Sequence, residues 1–189
     1  MIGGDRMKRL DGAPETLDED QKRLYDAIAA GPRGRVKGPL AMWLNSPKFC
    51  ERAQHLGEHL RFNNLFPKKW SEMIIILTAA HHRCDYEWRV HAGIAIREGL
   101  PESHVASIKE GRRPDDMQPD QESIYDFATG LLRENRVSDE VYSAFESRYG
   151  AKGIVEITGL IGYYQLGAHL LNATEFLPDD GVSDFGRDP

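Results

Sequence analysis

From Asp18 to Phe176 the apolar residues of this chain recur at helical spacing, and almost no stretch carries the period-two alternation of a half-buried strand. That pattern commits the chain to an all-α fold whose helices are cut by proline and glycine. A first helix is expected from Asp18 to Ala30, with Asp18 as its cap and Leu24, Ile28 and Ala29 on one face. Gly31-Pro32-Arg33-Gly34 ends it, and Arg35 to Asn45 reads as a loop or short turn. Ser46-Pro47 supplies a cap and a first-turn proline for a second helix running to about Asn63. Pro67 opens a third over Lys68 to His82, a fourth begins near Asp85 and stops at Gly99, and Pro101 begins a short one ending at Gly111. After a polar stretch, helices are expected from Glu122 to Asn135, from Ser138 to Tyr149 and from Ala151 to Phe176.

A chain of 189 residues with 40% hydrophobic content can fill one core, so a single helical domain over 18–177 is expected. Residues 1–17 read as a flexible leader, and 178–189 as a frayed acidic tail. The formal charge of −6, with basic residues scattered among acids, excludes a nucleic-acid binder. No run approaches the length of a membrane span, and the mean hydropathy of −0.53 agrees. Met1 to Pro14 carries no apolar stretch of signal-peptide type, and the expected setting is cytoplasmic. A weak internal duplication is also visible. Glu72-Met-Ile-Ile-Ile-Leu and Glu156-Ile-Thr-Gly-Leu-Ile-Gly each follow a basic or polar lead-in, as two copies of a helical hairpin would.

Chemistry concentrates between Glu72 and His91. Cys84, Glu87 and His91 stand at i, i+3 and i+7, so on a helix thiol, carboxylate and imidazole share one stripe. A carboxylate beside imidazole raises the histidine pKa and fixes its tautomer, which suits proton transfer near neutral pH. Glu72 lies among Met73, Ile74, Ile75, Ile76 and Leu77, where an unpaired carboxylate is costly. It therefore needs a partner, and His91 or Arg83 is the natural one. His81 and His82 read as a helix C-terminal pair favoured by the dipole. Without a C-x-x-C pair, Cys50 and Cys84 read as small buried hydrophobes.

At these residues the chain resembles the carboxymuconolactone decarboxylase / alkylhydroperoxidase D-like family. That family shows Glu, eleven residues, then Cys-x-x-Cys-x-x-x-His. Here Glu72 is followed by eleven residues and then Cys84-Asp-Tyr-Glu87-Trp-Arg-Val-His91, with only the second cysteine changed, to Glu87. His91-Ala-Gly-Ile-Ala-Ile-Arg-Glu-Gly-Leu resembles the family's following run. Tyr86-Glu87-Trp88-x-x-His91 resembles a variant found in its decarboxylase-like members, and Ile154 to Tyr164, then Asn172, resembles its final helix. The likeness spans roughly Pro39 to Phe176.

The resemblance implies an alkylhydroperoxidase D-like helical domain, assembled as a homotrimer or hexamer; a decarboxylase-type lyase needs no cofactor, and with no His-Glu-x-x-His pattern no metal is expected. It also implies a site drawn from Glu72, Cys84, Glu87 and His91. Peroxiredoxin-like turnover in two-cysteine members needs a second thiol, which Glu87 removes; Glu87 also raises the Cys84 thiol pKa by charge repulsion. What is left is acid–base chemistry, namely a lyase acting on a small carboxylated lactone or related ring acid. Glu87 and His91 would transfer the proton, His81 or His82 together with Arg83 would stabilise the enolate, and Tyr86 or Trp88 would wall the pocket. Two alternatives stay open: a single-cysteine thiol peroxidase using Cys84, and a catalytically silent binding or scaffold protein.

Overall fold

A computed structural model describes residues 9–186, and among them all regular structure is helical. The order is α1 (Glu19–Ala30), α2 (Pro39–Trp43), α3 (Pro47–Phe62), α4 (Lys68–His81), α5 (Asp85–Arg97), α6 (Glu102–Lys109), α7 (Pro119–Glu134) and α8 (Asp139–Ala173). The punctuation explains most ends. Asp18 and Gln21 close a capping box before α1, Pro47 occupies the first turn of α3, and the Ser138 side chain accepts from Val141 N at the start of α8. One boundary differs from expectation. Pro39 starts the short α2 inside the stretch read as a loop. The break expected between the last two helices falls at Gly150 (φ 64, ψ −176), a non-helical residue at which α8 kinks.

α4 is the central helix. Every residue from Trp70 to Ala79 is buried, and a helix apolar on all sides fits only in the middle of a bundle. α5, α6, α7 and α8 pack around it, while α2 and α3 pack on α8, and α1 on α3. No helix among the described residues is long and apolar enough to cross a membrane. The two acids of the apparent duplication have different partners. Glu72 meets His91, whereas Glu156 accepts from Leu65 N at 2.6 Å and lies 3.4 Å from His59.

The described parts of the segments flanking the bundle make specific contacts with it. Arg9 donates to Ala173 O and pairs with Glu175, Asn45 donates to Gly12 O, and Ala13 and Leu17 pack on the core. The expectation for residues 1–8 and 187–189 lies outside the described residues. The acidic segment after Pro178 forms a strap over α5. Asp85 Oδ1 accepts from Ser183 Oγ and from the backbone N of Asp184 and Phe185. Arg89 pairs with Asp180 and Asp184, Lys109 pairs with Asp184, and the Phe185 ring packs on Trp88. Acidic residues that read as solvated are here the counter-charges of Arg89 and Lys109.

A pH effect follows. Burial pushes the Asp184 carboxyl up, but Lys109 and Arg89 together outweigh it, so its pKa is lowered. A depressed carboxylate contributes stability above its unfolded pKa and loses it as pH falls through the folded value. The protection factors of the Ser183 to Phe185 amides, taken against intrinsic exchange at each pH, are therefore expected to fall in acid before those of the α4 amides do. Equal loss across strap and α4 would show that these ion pairs do not hold the strap.

Candidate active site

α4 presents Glu72 from its second turn, and the neighbouring α5 presents Glu87 and His91 one turn apart. His91 Nδ1 donates to Glu72 Oε2 at 2.6 Å, and His91 Nε2 lies 3.3 Å from Glu87 Oε2. The three residues are 1%, 2% and 5% exposed for Glu72, His91 and Glu87 respectively. Burial at this depth requires mutual pairing. It drives the His91 pKa down, yet the hydrogen bonds and charges of Glu72 and Glu87 outweigh it, and the net direction is up. Nδ1 is committed to Glu72, so Nε2 is the nitrogen left to exchange a proton.

Glu87 and His91 line a cavity of about 310 Å³ together with Tyr86, Tyr163 and Tyr164. Tyr164 meets the imidazole edge-on, with ring centroids 5.1 Å apart. Burial is the main cause raising all three tyrosine hydroxyls, those of Tyr86 and Tyr163 to about 12, so each stays a neutral hydrogen-bonding group near pH 7. Five basic residues, Arg33, Arg35, Lys37, Arg61 and Lys68, also reach the cavity. Gly38 makes room for Tyr86: a Cβ there would sit 2.4 Å from the ring, and φ is +58. Among the described residues, no group of three or more His, Cys, Asp or Glu side chains is placed to hold a metal ion.

The other residues singled out from sequence lie elsewhere, with the exception of Tyr86. Arg83 takes a left-handed turn (φ 48), leaving Cys84 as the extended N-cap of α5. The thiol is buried beside Met42, Ala168 and Leu171, outside the cavity lining, because the shared stripe begins only after the cap. His81 and Arg83 border a separate cavity with Lys109, Arg133 and Phe185. His82 packs between His81 and His169, with centroids 4.8 Å from each. Burial first, then the charges of His81 and His169, push its pKa down to about 4. The imidazolium expected at this helix end is therefore disfavoured. Trp88 faces the strap, 5.6 Å from Phe185. Cys50 is fully buried, and burial followed by Glu51 raises its thiol to about 11, which makes it a poor nucleophile.

Sequence reading missed Arg33 and Arg61 as site residues. Arg33 sits in Gly-Pro punctuation, and Arg61 in the last turn of α3, where a basic residue is ordinary. The one available hint is Gly57 inside α3, since an isolated helical glycine marks a close approach. A Cβ there would lie 2.0 Å from the Tyr163 hydroxyl and 2.6 Å from Arg33 Nη2.

This helical arrangement is that of the alkylhydroperoxidase D-like fold. The chain is similar to a peroxidase-related protein from Silicibacter sp. TM1040, with TM-score 0.73 and 14% identity over 99% of this chain and 100% of that one. It is similar to a peroxidase-related protein with an alkylhydroperoxidase AhpD core from Ralstonia eutropha JMP134, with TM-score 0.73 and 20% identity over 97% and 98%. A third similar structure is a variant of the debrominase Bmp8 in complex with 2,3,4-tribromopyrrole, with TM-score 0.71 and 12% identity over 91% and 92%. At these identities the likeness is one of fold. No protein-family model matches the chain, and no curated protein matches it.

Proposed function

We propose that the protein is a non-redox lyase of carboxymuconolactone decarboxylase type, acting on a small carboxylated lactone or related ring acid. The observation that carries the reading is the buried series Glu72, His91, Glu87 ending at a cavity large enough for one small ring compound. In the reaction the bond to the leaving carboxylate breaks, CO₂ departs, and the electron pair remains on the ring carbon as an enolate. His91 Nε2 then delivers its proton to that carbon. Glu72 keeps the imidazole oriented and charged, Glu87 returns a proton from solvent to Nε2, and the tyrosine hydroxyls donate to the enolate oxygen. The working form is a cytoplasmic homotrimer or hexamer. Leu56 on α3 and Val155 on α8, 53% and 69% exposed, offer apolar surface for the assembly.

A thiol peroxidase has the names of the similar structures in its favour, but here Cys84 lies outside the cavity and Glu87 stands where the second thiol would be. The test is CO₂ release from a panel of carboxylated lactones, run beside peroxide reduction with excess thiol, for the native chain and Cys84→Ser. Lactone turnover retained in Cys84→Ser, with no thiol-dependent peroxide turnover, is the expected result. Peroxide turnover that vanishes in the variant would replace this reading with the peroxidase. Inactivity in both assays would favour the silent scaffold.

A further inference from the structure

Among the described residues, Arg33, Arg35 and Arg61 reach the cavity without a carboxylate partner. The neighbouring lysines differ: Lys37 pairs with Asp179 at 3.3 Å, and Lys68 lies 3.9 Å from Glu98. Arg33 and Arg61 come from separate segments and converge on one ring, their guanidinium carbons 5.9 and 5.3 Å from the Phe62 centroid. Two cations on one aromatic ring repel each other, and the ring's attraction offsets only part of that. Both Nε atoms are buried without a hydrogen-bond acceptor, an arrangement that folded proteins ordinarily avoid. Arg33 is nonetheless held in place, since its Nη2 donates to the Tyr163 hydroxyl at 3.3 Å, in the space that Gly57 leaves open. Converging, unpaired and pre-positioned guanidiniums are what an anionic ligand requires.

We propose that Arg33 and Arg61 clamp an oxyanion of the ligand, a carboxylate or a phosphoryl group, at the opposite side of the Tyr163–Tyr164 pair from His91. Those two rings are 5.6 Å apart, and Tyr164 in turn touches His91, so one small ring can span from clamp to imidazole. The clamped group is a second acidic function, distinct from the carboxylate that leaves. It selects the substrate and sets which carbon faces Nε2. This assignment rests on the acid–base reading only for the direction of the ligand's reacting end; the anion site exists independently of turnover.

Isothermal titration at low ionic strength with benzoate, benzamide and inorganic phosphate tests the clamp. Native protein should bind benzoate and not benzamide, its uncharged counterpart. Arg33→Met and Arg61→Met should each weaken benzoate on the order of tenfold or more, the loss of one charge-assisted hydrogen bond. Arg61→Lys, which keeps the charge and loses the fork, should fall between, and its conservative change keeps the test available if a methionine variant fails to fold. Arg112→Met, an exposed arginine paired with Glu110, should bind as the native protein does. Phosphate binding tighter than benzoate, with the same arginine dependence, supports the clamp and assigns it to phosphoryl ligands. Benzoate binding unchanged in both methionine variants, equal binding of benzamide, or no binding of either anion would overturn it. His91→Ala should still bind benzoate, so loss of the lyase reading and loss of the clamp give different results.

Discussion

His91→Ala is expected to lower kcat/KM on a carboxylated substrate by about 10²- to 10⁴-fold, the usual contribution of a positioned general acid. The size of the effect follows from how the imidazole is held. One nitrogen is fixed by Glu72, the other meets Glu87 at the cavity wall, and both carboxylates favour the protonated ring. None of the three cavity tyrosines can supply the proton as readily, since burial raises each hydroxyl well away from neutral pH. Glu87→Gln, nearly isosteric, should leave ligand binding in place and lower kcat, because it removes the route by which Nε2 is reprotonated. Steady-state kinetics with circular dichroism as a folding control decides the matter. A His91→Ala protein that is folded and as active as the native chain would remove the imidazole from the reaction.

Glu72→Ala is expected to cost about 3–5 kcal/mol of folding stability, as removal of one partner from a buried ion pair does. The residue is 1% exposed and is surrounded by the apolar side of α4, so water cannot take its place on His91 Nδ1. Urea denaturation gives the magnitude, and its pH dependence gives the cause. His91 has a folded pKa raised above its unfolded value, so its contribution is full below the ordinary histidine pKa of about 6.5 and disappears as pH rises through the folded value. The gap between native and Glu72→Ala should therefore narrow in base. A constant gap would mean that lost packing, and not the ion pair, sets the cost. Replacing Glu72, Glu87 and His91 all by leucine should restore most of the stability while leaving no turnover, since apolar substitutes for a whole buried charge group are often neutral.

The helical class and most helix ends were legible in the sequence because caps, prolines and apolar spacing act locally. Asp18, Pro47, Pro67 and Ser138 each signal their role within a few residues. That Glu72 pairs was legible for an energetic reason, as an acid beside the Met73–Leu77 run needs a counter-charge; the sequence offered His91 or Arg83, and the structure pairs it with His91. The lining of the cavity was not. Arg61 and Tyr163 are brought together by the packing of α3 on α8, and Arg33, from the connection after α1, is 130 positions from the hydroxyl it contacts. Helical spacing does not carry back to Cys84, because it is the N-cap of α5 with an extended backbone, and it packs with Met42, Ala168 and Leu171. His82 was misjudged because the helix dipole was weighed without the burial and the two neighbouring imidazoles that oppose it.

The strap bears on where this protein can be cut. A fragment chosen by helix content would stop at Ala173, the last residue of α8, and would look complete by that measure. It would also discard the three donors to Asp85 Oδ1, the counter-charges of Arg89, and the ring against which Trp88 rests. All of these groups brace the first turns of α5, the same turns that carry Glu87 and begin the run to His91. For this chain, the boundary of the working unit lies beyond the boundary of its secondary structure.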